Sequence, residues 1–270
     1  MSYLQLENRN IVVLGVANRR SVAWAIARTL REEGASLLYV FKDQQLLDKN
    51  RPLIGEDAPA VVCDVESDDD VKALPERIGK YFPTVHGLVH SIAFANYSEG
   101  LKPFHQTVKR DFLQAIDISC FSLVNVSNAL SPLLAPDAAI VTISISTTRM
   151  ASENYGYMGP IKAALDSTVV FLAKSLIQSV APRIRVNAVG PALLKTSSSA
   201  GIPGYIDAYL YAEKVIPRHE AVSTDEAAQA AVFLLSPRSS GINAQTIVVD
   251  AGMSINYFDR SIIQSAVKQQ

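Results

Sequence analysis

The segment that decides the fold is residues 11–27, IVVLGVANRRSVAWAIA. An apolar run ends directly in Gly15, a polar and basic loop follows, and a helix is predicted to begin at Ser21, with the small residues Ala23 and Ala27 against a sheet. Backbone N–H groups at such a helix N-terminus favour an anion such as a pyrophosphate, with Ser21 as a capping hydroxyl. Only one glycine of a GxGxxG pattern is present, so an ordinary βα turn explains this segment equally well.

The same alternation of strand and helix continues along the chain. Strand-like runs occur at residues 11–15, 36–41, 60–63, 87–91, 139–144, 184–189 and 246–249. Helix-length segments lie near residues 21–33, 67–80, 107–131, 155–180 and 224–235. The runs are mostly continuous Val, Ile and Leu, as expected of strands covered on both faces. The pattern predicts the α/β class: one Rossmann-like, doubly wound, seven-stranded parallel sheet flanked by helices, in a single domain over residues 1–270.

Composition excludes several other classes of protein. The 270 residues carry a formal net charge of -1, so no basic field for nucleic acid or anionic lipid is expected. No apolar run reaches the ~20 residues of a membrane span, and residues 1–8 lack a signal pattern, so we expect a cytoplasmic protein. Cys63 and Cys120 lie far apart with no nearby His cluster, so neither a disulfide nor a metal site is predicted.

Ligands of such sheets lie at the carboxyl ends of the strands, so the turns there carry candidate contacts. Lys42 follows the second strand and favours the 2′-phosphate of NADPH, or it is a solvated helix start. Asp43 beside it favours the free hydroxyl of NADH, so the preference stays open. Asp64, after the third strand, is either an acceptor for an adenine amino group or a helix cap. Small residues follow His90, itself interpreted as structural, and let the backbone approach a cofactor ribose.

Tyr155 and Lys162 are the candidate catalytic pair. If residues 155–162 are helical, their spacing places both side chains on one face, two turns apart. An ammonium group lowers the cost of forming phenolate, so Tyr155 would exchange a proton at neutral pH. Tyr157 projects about 140° away from Lys162 and is excluded. Many helices carry such a pair by chance, so the interpretation needs support from the rest of the chain.

The chain resembles the enoyl-acyl carrier protein reductases, a divergent branch of the short-chain dehydrogenase/reductase superfamily, over roughly residues 5–255. The resemblance rests on residues 15–27, 63–65, 90–95, 117–119 and 185–188, and on Tyr155 with Met158 and Lys162. Most of the superfamily has its Tyr where this chain has Met158. The phenol here stands one turn earlier, which favours a longer conjugated substrate.

The resemblance implies NADH- or NADPH-dependent reduction of a trans-2-enoyl thioester on acyl carrier protein, a step of fatty acid biosynthesis. Tyr155 would stabilise the enolate formed by hydride transfer, and Lys162 would bind the nicotinamide ribose. The implied cofactor contacts are Gly15, Ser21, Val22, Lys42, Asp64, Val65, Ser91, Ile92, Ala93, Lys162, Leu194 and Thr196. The implied substrate contacts are Phe94, Ala95, Ile145, Tyr155, Met158 and Ala200.

Two departures from the family pattern keep other hypotheses open. Ile145 stands where family members commonly have an aromatic residue, and residues 190–196 differ from the usual run after Asn187. The segment at about 190–215 is predicted to be a substrate loop that orders on binding, with a plain surface loop as the alternative. The other hypotheses are a paralogue that reduces a different enone or ketone, and a non-catalytic dinucleotide-binding protein.

The long helix predicted to end at Val180 suggests an oligomer. From Ile161 onward it contains only Lys162, Asp166 and Lys174 as charged residues, so it lies deep in the core or meets a partner chain. Together with the resemblance, this predicts a homotetramer, a dimer of dimers formed through the helices near 107–131 and 155–180.

Overall fold

Seven parallel strands form the centre of the fold. The computed structural model describes residues 2–100, 102–151, 155–256 and 259–267. The strands are β1 (Asn10–Leu14), β2 (Ser36–Phe41), β3 (Ala60–Val62), β4 (Val85–His90), β5 (Leu134–Ile143), β6 (Arg185–Pro191) and β7 (Thr246–Val249). They lie in the order β3-β2-β1-β4-β5-β6-β7 and every pair is parallel. The order reverses between β1 and β4, which places the ligand crevice of such a sheet at their carboxyl ends.

Helices cover both faces of this sheet. They are α1 (Val22–Glu32), α2 (Gln44–Ile54), α3 (Asp68–Gly79), α4 (Lys109–Ile116), α5 (Ser122–Leu130), α6 (Met158–Ser179), α7 (Ser197–Ala200), α8 (Tyr205–Val215), α9 (Thr224–Leu235) and α10 (Arg260–Val267). One core lies between the sheet and α1, α2 and α9, and includes Ile26 and Val232. The other lies beneath α3, α5 and α6, and includes Leu74 and Leu165. Coverage on both faces is the reason the strands are continuous apolar runs.

The predicted fold class is confirmed, and each of the seven predicted runs overlaps one strand, although β5 begins at Leu134, well before the run predicted at 139–144. The helix predictions need correction. The segment predicted as one helix near 107–131 is α4, a π-helical turn at Asp117–Phe121 and α5. The helix predicted from residue 155 begins at Met158. The sequence did not predict α2, which contains Pro52, a residue that disfavours helix interiors.

The segment at about 190–215 contains the end of β6 and the two helices α7 and α8, with irregular stretches between them. Its role at the substrate stays a prediction.

A buried cation ties β6 to the end of α9. Arg185 is 6% exposed, and its Nη1 donates to the carbonyl oxygens of Leu234 at 2.9 Å and Ser239 at 3.0 Å. Its Nη2 donates to the carbonyl oxygen of Ser236 at 3.0 Å. The last carbonyls of a helix lack partners within the helix, so the guanidinium both satisfies them and balances the negative end of the helix dipole.

Candidate active site

A cavity of about 540 Å³ opens at the carboxyl ends of the strands, where the topology places a ligand. It brings together every predicted cofactor and substrate residue except one. The exception is Ala200, which is exposed and lies outside the set of described residues that line the cavity, so its contact with the substrate stays a prediction. Sequence reasoning missed Glu66, Tyr97, Ser199 and Tyr205, all of which line the cavity.

Gly15 allows the ends of β1 and β4 to meet at one end of the cavity. Its φ is +100°, and a Cβ placed there would lie 2.0 Å from the carbonyl oxygen of Ser91. A side chain at this position would therefore push the β1–α1 turn away from the end of β4. Ser21 is the residue before α1, but its hydroxyl donates to the carbonyl oxygen of Asn18 at 2.7 Å. The prediction that Ser21 caps α1 through its side chain is therefore wrong.

No side chain within the described part of the chain caps α1, so its first N–H groups face the cavity uncapped. Together with the glycine turn, they fit the pyrophosphate of a dinucleotide.

Charged residues cluster where β2 and β3 end. Lys42 Nζ lies 3.1 Å from Glu66 Oε2 and 3.4 Å from Asp64 Oδ2. Asp43 caps α2 by accepting from the backbone N–H of Leu46 at 2.7 Å. Lys42 is therefore an ion-paired cation whose side chain stays 56% exposed to solvent, and Asp43 is the cap of the helix that follows.

Asp64 does not cap the helix that follows it. Ser67 does so, since its Oγ accepts from the backbone N–H of Asp70 at 3.3 Å. Asp64 instead lines the cavity, where Lys42 and its own turn hold it: its Oδ1 accepts from the backbone N–H of Glu66 at 3.1 Å. The interpretation of Asp64 as a helix cap is therefore wrong, and its contact with a ligand stays a prediction.

The segment after β4 is fixed by hydrogen bonds to Ser119. Ser119, in the π-helical turn, accepts from the N–H of Phe94 at 2.9 Å and donates to its carbonyl oxygen at 3.2 Å. His90 is fully buried, with Nδ1 3.0 Å from Thr142 Oγ1 and Nε2 2.8 Å from Ser122 Oγ. Burial, reinforced by the charge of Lys162, lowers the pKa of His90 to about 3. His90 is therefore neutral, and both of its ring nitrogens are hydrogen-bonded, which confirms that it is a buried structural histidine.

Tyr155 and Lys162 both line the cavity, but not for the reason the spacing suggested. Tyr155 lies before α6, separated from it by Gly156, whose φ is +54°. Lys162 is on the second turn of α6 and is buried, and its Nζ donates to the carbonyl oxygen of Ile143 at 2.6 Å. A left-handed turn, rather than one helix face, brings the two residues to the same cavity.

The pKa values of the pair also differ from expectation. Burial, with contributions from the phenols of Tyr205 and Tyr97, raises the pKa of Tyr155 well above its ordinary value. Burial lowers the pKa of Lys162 to about 8, with Cys120 and Asp166 acting in the opposite direction. The prediction that Lys162 makes Tyr155 readily ionisable is therefore wrong for this chain. Tyr155 is a protonated hydrogen-bond donor at neutral pH.

Tyr157 supports the site without facing it. Its hydroxyl accepts from the N–H of Asn96 at 2.9 Å and donates to the carbonyl oxygen of Asn96 at 3.0 Å. Its ring stacks on Tyr97, with 6.1 Å between centroids. Tyr97 lines the cavity, so the buried Tyr157 positions a second aromatic wall beside Tyr155. The exclusion of Tyr157 as the catalytic phenol agrees with this arrangement.

The segment after β6 closes the cavity on its far side. The carbonyl oxygen of Leu194 accepts from Ser199 Oγ at 2.8 Å and from the hydroxyl of Tyr205 at 2.9 Å. Ser199 Oγ also accepts from the N–H of Thr196 at 2.9 Å. These bonds tie α8 to the residues predicted to contact the cofactor. Of these two residues, only Ser199 had a signal in the sequence, since it lies in a Ser-rich segment. The contact of Tyr205 with Leu194 depends on how α8 packs back against the cavity.

The wall at Ile145 is shaped by close backbone packing. A Cβ on Gly190 would lie 2.9 Å from the carbonyl oxygen of Ile145, so β6 needs glycine there to pass this turn. Ser144 and Ser146 flank Ile145, and their buried hydroxyls have no hydrogen-bond partner within the described residues. Ser144 lines the cavity and is a polar group free to meet a ligand.

The described residues hold no group of three or more His, Cys, Asp or Glu side chains arranged to bind a metal ion. Within the same ranges, every helix is too short or too polar to cross a bilayer.

The fold and the site together define a class: an oxidoreductase with a Rossmann-like dinucleotide-binding domain of the short-chain dehydrogenase/reductase type. A family model described as Enoyl-(Acyl carrier protein) reductase matches residues 15–254. The chain therefore belongs to the enoyl-acyl carrier protein reductase family, as the sequence predicted.

Individual relatives agree along nearly the whole chain. The enoyl-acyl-carrier-protein reductase FabI of Enterococcus faecalis, whose name specifies NADH, is 35% identical over 93% of this chain and 99% of its own. FabI of Staphylococcus aureus strain NCTC 8325, whose name specifies NADPH, is 34% identical over 92% of this chain and 98% of its own.

Solved structures agree as well. The crystal structure of the NADH enoyl-acyl-carrier-protein reductase of Aquifex aeolicus VF5 superposes with a TM-score of 0.88 at 31% identity, covering 94% of this chain and 99% of that one. The Bacillus cereus enzyme with NADP+ and an indole naphthyridinone gives 0.87 at 33% identity, covering 93% and 98%.

Proposed function

We propose that this chain reduces a trans-2-enoyl thioester carried on acyl carrier protein to the acyl thioester, using NADH or NADPH, in fatty acid biosynthesis. The observation that carries the proposal is that Tyr155 and Lys162 line the same cavity as the uncapped end of α1 and Gly15. A dinucleotide bound along this cavity supplies a hydride to C3 of the enoyl group.

The cofactor fits residues that the structure leaves available. The uncapped α1 and Gly15 would hold the pyrophosphate, Asp64 and Val65 the adenine end, and Lys162 the ribose next to the nicotinamide. Lys162 already donates one of its three hydrogens to Ile143, so two remain for ribose hydroxyls. The small residues after β4 and the buried Leu194 would pack around the nicotinamide.

Tyr155 would act on the thioester oxygen. Its raised pKa keeps the proton on the phenol, so Tyr155 can donate to the negative charge that develops on that oxygen. Such a donor works best where water is excluded, and Tyr97, Met158 and Tyr205 provide apolar surface around it. Phe94, Ala95 and Ile145 form the rest of the wall assigned to the acyl chain.

A second candidate function follows from Ile145. This side chain can offer the substrate only apolar contact, where relatives of the predicted type commonly carry an aromatic residue. An enone or ketone without a carrier-bound thioester is therefore the alternative substrate. Crotonyl thioesters of coenzyme A and of acyl carrier protein separate the two hypotheses, since the alternative predicts turnover with neither.

Assembly and location complete the proposal. Exposed apolar side chains on the π-helical turn and on α6 support a homotetramer formed through these helices, with Phe171 75% exposed, Phe121 53% and Val170 48%. Light scattering on the purified protein tests it, and a monomer contradicts it. The cytoplasmic location predicted from the sequence stays a prediction.

The decisive experiment replaces Tyr155 by Phe. Losing a hydrogen bond aimed at the enolate lowers kcat by roughly 100-fold, while the dissociation constant for the cofactor changes less than about twofold. Tyr81→Phe, on an exposed residue after α3, is the matched control. Unchanged turnover of the Tyr155→Phe enzyme would refute the role of the phenol, whereas cofactor binding without turnover by the natural chain would favour the non-catalytic hypothesis.

A further inference from the structure

The relatives include both NADH and NADPH enzymes, so the family alone leaves the cofactor of this chain open. The two cofactors differ by one phosphate on the adenine ribose, and this ribose lies beside the carboxyl end of β2 in sheets of this type. In this chain the residue at that point is Lys42, which the sequence interpretation associated with NADPH.

The charge of Lys42 is already compensated. Its ammonium lies 3.1 Å from Glu66 Oε2 and 3.4 Å from Asp64 Oδ2, and all three side chains line the cavity. One ammonium against two carboxylates leaves a net negative charge at this wall. A 2′-phosphate, which carries nearly two negative charges at neutral pH, would have to draw Lys42 away from both carboxylates and then face them.

Glu66 is held in place from its other side. Gln114 Nε2, on α4, donates to Glu66 Oε1 at 2.9 Å, so both carboxylate oxygens have partners. These bonds, that from Gln114 foremost, lower the pKa of Glu66, which is therefore ionised at neutral pH. Asp68 and Asp117 add negative charge nearby, and burial, followed by the charges of Glu66 and Asp68, raises the pKa of Asp117. The negative charge around Glu66 therefore disfavours binding of the 2′-phosphate.

We propose that the ion pair between Lys42 and Glu66, together with the hydrogen bond from Gln114 to Glu66, makes the chain select NADH over NADPH. Glu66 is then the specificity-determining residue. The inference rests on the proposed function only in that the cavity binds a nicotinamide dinucleotide. A free 2′-hydroxyl satisfies the same wall, since it can donate to a carboxylate without displacing Lys42. The selection therefore works through repulsion of the wrong cofactor as well as through a contact with the right one.

Binding measurements test the proposal without turnover. The full-length protein is titrated with NADH and with NADPH, following nicotinamide fluorescence, at low and at high salt. We expect NADH to bind at least about tenfold more tightly, and Glu66→Gln to tighten NADPH binding roughly fivefold while changing NADH less than about twofold. The effect of Glu66→Gln on NADPH should shrink at high salt, because the wall is partly exposed.

Two further variants complete the design. Gln114→Leu, which frees Glu66 without removing its charge, should shift the ratio in the same direction but less. Glu76→Gln removes an equivalent charge from the exposed face of α3 and should leave both affinities unchanged. Equal or tighter binding of NADPH by the natural chain, or a ratio insensitive to Glu66→Gln, overturns the inference while the proposed function stands. Binding of neither cofactor refutes both.

Discussion

The buried charge of Lys162 lowers the free energy of unfolding, and this effect can be measured. The side chain is 4% exposed, and its one hydrogen bond within the described residues goes to the carbonyl oxygen of Ile143. Burial lowers its pKa from an ordinary value of 10.5 to about 8, so the folded chain holds this proton less tightly than the unfolded chain does. Lys162→Met keeps much of the side-chain volume and removes the charge.

The difference between a pKa of 10.5 and one of about 8 corresponds to roughly 3 kcal/mol. Because the folded value is the lower one, this destabilisation is fully present below pH 8 and is relieved as the pH rises toward 10.5. The hydrogen bond to Ile143 offsets part of this destabilisation. Its loss in Lys162→Met leaves a buried carbonyl unsatisfied and costs about 1–2 kcal/mol. At pH 7, Lys162→Met should therefore be more stable than the natural chain by roughly 1–2 kcal/mol, despite losing a proposed functional group.

The assay is urea unfolding of both proteins at pH 7 and at pH 10.5, without cofactor. The two chains share every other titratable group, so the difference between their unfolding free energies isolates Lys162. The advantage of Lys162→Met should vanish or reverse at the higher pH, because neutral Lys162 keeps its hydrogen bond without the charge. Lys174→Met, on the exposed side of α6, should show no such pH dependence. A variant that is less stable than the natural chain by the same amount at both pH values refutes the reasoning.

Two further predictions concern the frame of the site. Gly15→Ala should weaken NADH binding and lower the melting temperature, both measured by cofactor-dependent thermal unfolding, because its Cβ would clash with Ser91. Gly55→Ala is the control, because Gly55 has a φ of +106° but faces open space, so this variant has the backbone strain without a clash. An equal fall in melting temperature in both variants would show that the clash with Ser91 contributes nothing. Arg185→Met should destabilise the chain by roughly 3 kcal/mol in urea, because carbonyls at the end of α9 lose their partner. Arg183→Met, on an exposed residue nearby, should have almost no effect, and a similar loss there would contradict the explanation.

The helices show where sequence patterns were sufficient and where they were not. The helix α9 lies where the segment near 224–235 predicts it, and in the structure Ser223 and Glu226 form a capping box at its start. The helix α2 was missed because it contains Pro52 and its pattern is weakly apolar, although Asp43 caps it. Local signals decide an element only where propensity, capping and periodicity agree.

The candidate site shows the same division. Positions directly after strands, such as Gly15 and Asp64, were predictable because parallel strands end at one edge of the sheet. Glu66 and Tyr205 were not, because one depends on Gln114 from α4 and the other on the return of α8 toward Leu194. Contacts between residues far apart in sequence leave no periodic signal.

The sequence by itself determined the order of strands and helices, the family, and the choice of Tyr155 and Lys162 as the candidate catalytic pair, because these follow from local patterns of apolar, small and polar residues. Only the tertiary structure decided where the two side chains lie and how buried they are. Gly156 turns Tyr155 into the cavity ahead of α6, and burial holds its proton in place. The structure also showed that two carboxylates compensate Lys42. Burial and charge depend on which surfaces meet, and that is settled only when the distant parts of the chain pack together.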